Sequence, residues 1–445
     1  MLFLIILSLL TIWIIARQNR NILARRIAYV FLSLWTFALT LSTFNPQHLY
    51  PVRIEIYVML LAFVCFLILG ITVVDNGKTR GTYAIQSDKI KTMIESLALN
   101  KKTLVYVFLC DLFMYYLFKL QEVMLLSMSA LELRAEGKDF LYQGNSFLGL
   151  TNNFPVAPIS VFVCVFFSYI LVFKRNKVIP LVIYGTYILL STYIGGARGY
   201  ILKIFVYIVF FIICCPFLMK GMSMWKMIKQ QSVILLFALF SLIFVSYMTN
   251  QRLANDNNFT VENAEAGWET TSTHFVTYFV GPFRALDYGM NHNYVEQMGG
   301  YKYGLSTLGC LDQLVETVLN RVGIQYENAN KSVYEILQNK WIMIPHNFNF
   351  AYTAVFNFYV DFGYLGIIII PFLLGGLLKK MIGSFYRTSN PFMFILIIYF
   401  YTVLFDAYFS WRLYLMTALT PLIWIFILKK IYDNYMSHPK AKLSK

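Results

Sequence analysis

Arg198 stands in the turn Gly195-Gly-Ala-Arg-Gly199, between two apolar stretches. Small neighbours leave its guanidinium uncrowded, and a planar, permanently charged fork is matched to a pyrophosphate. Free backbone amides at a following helix start add to the attraction for an anion. The plainer reading is an arginine that reaches out to lipid headgroups. Arg284, in Gly281-Pro-Phe-Arg-Ala-Leu-Asp287, is either a second phosphate clamp or the partner of Asp287. His346, in Ile344-Pro-His-Asn-Phe-Asn349, precedes an apolar stretch. A neutral imidazole there can take a hydroxyl proton, or it is a surface histidine without a catalytic part. Asp361 opens the same stretch and is either a base or the structural partner of an arginine. Asp406 and Arg412 flank a short late hairpin, where they either neutralise one another or leave Arg412 as a third pyrophosphate ligand. Asp111 lies deeper, where helix packing and headgroup binding are equally open.

The elements that must position these groups are membrane spans. The chain is 58% hydrophobic and 13% charged, with a mean hydropathy of +0.60, whereas a soluble domain carries about 25% charged residues. A helix needs about 20 apolar residues to cross the hydrocarbon core. Candidate spans fall at 1–16, 27–44, 54–74, 103–121, 154–173, 178–194, 200–218, 231–249, 359–378, 391–409 and 412–428. The expected fold is therefore all-α: a polytopic membrane protein of about eleven transmembrane helices, forming one domain over 1–445. The first stretch has no basic residue ahead of it and Arg17, Arg20, Arg25 and Arg26 behind it, the reverse of a cleavable signal peptide.

Threaded alternately, these spans put 17–26, 75–102, 174–177, 219–230, 379–390 and 429–445 on one side, with 24 of the 37 lysines and arginines. By the positive-inside rule that side is cytoplasmic. The net charge of +15 thus has a topological explanation, and no basic stripe interleaved with aromatics points to nucleic acid. The segment 250–350 holds ten acidic residues and becomes the large outer loop, with 122–153 a smaller one. Leu311, Leu314, Val315, Val318, Leu319 and Val322 carry helical spacing and predict an amphipathic helix that lies on the membrane mouth or covers it. Ile85, Ile90, Ile94 and Leu97 predict an interfacial helix within 82–99 on the inner side.

Phosphate-binding glycine loops, dinucleotide fingerprints, zinc-ligand spacings and nucleophile elbows are all missing from the sequence. Chemistry must then come from charged groups at the membrane boundary, where they are costly to hold and are functional candidates for that reason. Under one topology Arg198, Arg284, His346, Asp361, Asp406 and Arg412 all map to the outer face.

Gly195-Gly-Ala-Arg-Gly199, Gly281-Pro-Phe-Arg284 and the stretch from Ala351 to Gly366 resemble the Wzy-type oligosaccharide repeat-unit polymerases of bacterial surface polysaccharide assembly. The resemblance implies a GT-C-like fold with one large periplasmic loop, in the bacterial cytoplasmic (inner) membrane. It implies metal-independent glycosyl transfer, with no cofactor, on the periplasmic face. The donor would be a growing glycan of O-antigen or capsule on undecaprenyl pyrophosphate, and the acceptor a sugar hydroxyl of a lipid-linked repeat unit. Arg198 and Arg284 match the family's phosphate-facing arginines. The pair His346-Asn347 is similar to one before a late span of the related O-antigen ligases, although the pattern that follows it there is missing. A chain-length regulator is the protein partner such an enzyme takes. The rival readings are a flippase or transporter for the same lipid-linked oligosaccharides, against which the lack of two related halves speaks, and an O-antigen ligase.

Overall fold

The computed structural model describes residues 6–7, 9–10, 13–14, 22–44, 51–73, 87–125, 151–174, 177–194, 199–215, 218, 239, 241, 279–329, 331–333 and 352–437. Within them every regular element is a helix. In chain order these are α1 (Ile22–Phe44), α2 (Ile54–Val73), α3 (Ser87–Ala98), α4 (Lys101–Leu125), α5 (Ala157–Phe173), α6 (Val178–Ile194) and α7 (Gly199–Val209). They are followed by α8 (279–291), then α9 (Tyr294–Gln297), α10 (Gly309–Arg321), α11 (Ala354–Phe362), α12 (Tyr364–Thr388), α13 (Pro391–Asp406) and α14 (Met416–Ser437). Five stretches, Ile22–Phe44, Ile54–Val73, Lys101–Leu120, Phe154–Phe173 and Tyr364–Thr388, are long and apolar enough to cross a membrane, and three shorter apolar helices join them. The chain is a helical, multi-pass membrane protein. The spans read at 1–16, but for residues 6–7, 9–10 and 13–14, and at 231–249, but for 239 and 241, lie outside the described residues, as does the loop 122–153 but for Glu122, Val123, Met124, Leu125 and the residues from Thr151 on.

The chain divides into two compact units. One comprises Met1–Tyr83, Phe275–Thr388 and Tyr399–Leu422; the other comprises Ala84–His274, Ser389–Ile398 and Ile423–Lys445. The first unit is built on α2 and α12, whose backbones touch. A Cβ at Gly70 would lie 2.2 Å from the Phe372 carbonyl oxygen, and one at Gly375 would lie 2.2 Å from that of Leu67. Lipid gives two apolar helices no hydrophobic reason to associate, so small residues that let backbones approach become the source of affinity. α12 begins later than the hydropathy predicts, at Tyr364 rather than 359. Gly363 turns there at φ 60°, in the left-handed half of the map, and Gly366 comes so close to α11 that its Cβ would stand 2.0 Å from the Phe358 oxygen. A run of apolar residues does not register this break, because its cause is backbone geometry.

In the second unit α5 is the central helix, buried on nearly all sides, and α6 and α7 pack on it. A π-helical turn over Asn152–Val156 containing Pro155 leads into α5. Backbone groups freed by such a turn have no water to bind inside a membrane and need protein partners. Three side chains supply them in succession: Trp424 Nε1 donates to the Phe154 oxygen at 2.8 Å, the Tyr106 hydroxyl to that of Pro155 at 3.1 Å, and the Tyr187 hydroxyl to that of Val156 at 2.8 Å. The inner amphipathic helix is also present as α3. Ile90 and Ile94 are buried, and the Tyr184 hydroxyl ties down its last carbonyl, that of Ala98, at 2.6 Å.

Candidate functional site

α8 places Arg284 and Asp287 one turn apart, yet the two do not pair with each other. Asp287 is taken by Arg53, at the start of α2, whose Nε lies 2.6 Å from Oδ1 and whose backbone amide lies 3.3 Å from Oδ2. Arg284 turns instead to the end of α1. Its Nη1 donates to the Ser42 hydroxyl and to the Val280 carbonyl, each at 3.1 Å, and its Nη2 to the Ser42 carbonyl at 3.3 Å. The side chain is buried among aromatic rings: Phe283 stacks on Trp35 with centroids 5.9 Å apart and meets Tyr408 edge-on at 5.5 Å. Burial lowers the guanidinium pKa from its ordinary value, but arginine starts high enough to stay charged. Through these two arginines α8 clamps both ends of the α1–α2 connection.

Asp361, in the last turn of α11, is fully buried. Its Oδ1 accepts the Ser306 amide at 2.9 Å and its Oδ2 the Thr307 amide at 2.6 Å. Burial pushes its pKa up from the usual carboxylate value, and hydrogen bonds from 304–307 pull against that. Among the described residues no arginine pairs with this carboxylate, against the structural pairing that the sequence offers as one alternative. It holds the loop 301–308, which is also tied by Asn357 Nδ2 to the Ser306 hydroxyl at 2.9 Å and by Trp411 Nε1 to the Thr307 carbonyl at 2.6 Å.

Trp411 belongs to the hairpin between α13 and α14, and there the pair read from sequence is present. Arg412 Nε lies 3.1 Å from Asp406 Oδ2, with Arg412 about half exposed and Asp406 nearly buried. The two terminal nitrogens of Arg412 donate to no further acceptor among the described residues, so within these the fork is held at its neck and open at its tip. The hairpin itself is anchored by the Ala354 amide on the Ala407 carbonyl at 2.9 Å.

The first unit thus brings Arg53, Arg284, Asp287, Asp361, Asp406 and Arg412 into one framework at the non-basic ends of its helices. Arg198 and His346 lie outside the described residues. Asp111 sits buried in α4, in the second unit. Arg53 was not singled out from sequence, although an arginine one residue ahead of an apolar span is a signal for an end-of-helix ion pair. Among the described residues no three His, Cys, Asp or Glu side chains gather as metal ligands. Chemically the arrangement offers one available guanidinium, that of Arg412 fixed by Asp406, and an oriented donor of this kind stabilises a developing negative charge far better than open water does. Each described carboxylate in it is already engaged.

A scan against protein-family models gives no match, and no curated protein or solved structure matches the chain significantly.

Proposed function

We propose that the chain is a polymerase of surface polysaccharide, O-antigen or capsule, with about eleven spans and a GT-C-like fold in the bacterial cytoplasmic membrane. It moves a growing glycan from undecaprenyl pyrophosphate to a sugar hydroxyl of a lipid-linked repeat unit on the periplasmic face. No metal or cofactor takes part. The observation that carries the reading is the state of Arg412: Asp406 fixes its Nε, and its two terminal nitrogens are left to donate to an anion. Arg198 is a further proposed ligand of the pyrophosphate leaving group, as the resemblance implies, whereas Arg284, buried and bonded to Ser42 and Val280, holds α8 to the end of α1. Asp361 is engaged by backbone amides, which favours His346 as the group that takes the proton from the attacking hydroxyl. The sequence resemblance supports the same assignment.

Removing one oriented donor from a developing oxyanion costs about 3 kcal/mol, or a hundredfold and more in rate. Arg198→Ala and Arg412→Ala should each abolish polymer in cells while protein level stays intact. A wild-type distribution of chain lengths in cells that express only one of these variants would refute its part. Extension of a purified lipid-linked repeat unit by the reconstituted protein separates a polymerase from a flippase, which moves such units without lengthening them.

A further inference from the structure

α10 wears its polar side inward. Asp312 is 4% exposed, and its Oδ1 accepts the Tyr326 hydroxyl at 2.6 Å while its Oδ2 accepts the Ala329 amide at 2.7 Å. One turn on, Glu316 accepts both the backbone amide and the side-chain nitrogen of Asn328. A further turn on, Asn320 Oδ1 accepts the Tyr326 amide at 2.9 Å. Gln313, beside this row, accepts the Met416 amide at 3.1 Å. The segment after the helix therefore folds back along its polar row and covers it. Leu308, Leu311, Val315, Val318 and Val322, at alternating spacings of three and four, form one stripe on the other side. They are 44–66% exposed, the opposite of a surface helix in a soluble domain.

Two further observations say what covers the stripe. The first is position. The loop entering α10 is bonded to the residues just ahead of α12, by Lys302 N to the Val360 oxygen at 2.9 Å and Tyr303 N to that of Asp361 at 3.2 Å, and the first turn of α10 is bonded to the hairpin ahead of α14 by Cys310 N to the Leu413 oxygen at 3.1 Å. α12 is long and apolar enough to cross a membrane. From this same end it carries its own exposed stripe, Leu365, Ile369, Leu373 and Leu377, which is its lipid face, so the two apolar surfaces start from one junction. The second is the junction's composition. Tyr301, Tyr303, Phe362 and Tyr364 are exposed there, the aromatic belt that marks the boundary between hydrocarbon and water.

We infer that α10 is a membrane-surface helix whose stripe from Leu308 to Val322 rests on phospholipid acyl chains at the bilayer interface. Arg321, exposed in its last turn, can reach the headgroup phosphates. The inference rests on the chain being a membrane protein and is independent of glycosyl transfer. Because α10 hangs from the loop that Trp411 holds, lipid contact also steadies the hairpin that carries Arg412.

The test uses Val318→Cys, Val322→Cys and Glu327→Cys, each labelled with an environment-sensitive fluorophore in the full-length protein. Of the native cysteines only Cys65 is not buried, and unsubstituted protein carried through the same labelling supplies the background. The labelled proteins are placed in phosphatidylcholine nanodiscs with and without a spin-labelled acyl chain. Fluorescence at positions 318 and 322 should fall about twofold or more with the spin-labelled lipid, and at 327 it should hardly change. Quenching at 318 and 322 no greater than at 327 overturns the inference, whether water, another protein or another part of this chain covers the stripe. Should Val318→Cys fail to fold, Val322→Cys, at the more exposed end, reads the same surface.

Discussion

At the scale of single residues, Asp361 shows how one carboxylate does the work of a turn. The loop 301–308 brings several amides together without a helix or strand to bind them, and two of them find the Asp361 oxygens. Asp361→Asn keeps the shape and one acceptor but sets an NH2 group against an amide N–H. A buried donor left without an acceptor costs about 1–3 kcal/mol, more where the lost bond was to a charge. The variant should therefore unfold several degrees below wild type in the same detergent. Unchanged thermal stability with activity lost would return Asp361 to the role of a base. This role was not legible in the sequence, because the partners are backbone amides 54 and 55 positions away and an amide has no residue type. For the same reason Asp287 offered the nearby Arg284 as its partner, whereas folding delivers Arg53 from 234 positions away. The pair Arg412–Asp406 could be read because both partners flank one short hairpin, where no fold can take them far apart.

At the scale of elements, the apolar stretches were legible as helices wherever the structure describes them, since a membrane helix must be apolar over its whole length, but not all their ends were: α12 runs to Thr388 rather than 378 and α14 to Ser437 rather than 428. What packs against what was not legible. The approach of α2 to α12 depends on Gly70 and Gly375, which in the sequence are two glycines among 24. A comparison of two identical substitutions tests it. Replacing a helical glycine with alanine favours the helix by about 1 kcal/mol through propensity. At Gly185 the new methyl carbon meets the Phe167 ring at an ordinary 3.6 Å, so Gly185→Ala should be neutral or stabilising. At Gly70 it would sit 2.2 Å from the Phe372 oxygen and 2.9 Å from the Gly376 nitrogen, both backbone atoms that move only if a helix moves. Overpacking of this kind costs about 1–3 kcal/mol and outweighs the propensity gain. Gly70→Ala should therefore lower the yield of monodisperse protein and its thermal midpoint, and equal behaviour of the two variants would mean that α2 and α12 do not touch as described.

At the scale of the whole molecule, the proposed function needs the loop 301–308 and Arg412 to face away from the cytoplasm, and α12 supplies the means to decide. Its 25 residues rise about 38 Å at 1.5 Å each, more than the roughly 30 Å of hydrocarbon it must cross, so its two ends emerge on opposite sides. Lys379, Lys380 and Arg387 lie toward its C-terminal end, and cations of this kind stay in the cytoplasm. Just ahead of its N-terminal end, Val360 and Asp361 are bonded to residues 302 and 303, from which the chain runs on through α10 to Glu327. Thr388→Cys and Glu327→Cys, both at exposed positions, should then react oppositely with a maleimide that cannot pass the membrane. Glu327→Cys should be labelled on intact cells and Thr388→Cys only after lysis. Labelling of Thr388→Cys from outside, with Glu327→Cys protected, would turn the molecule over. The open fork of Arg412 would then meet cytoplasmic substrates, and a polymerase working on exported lipid-linked units would no longer fit the protein.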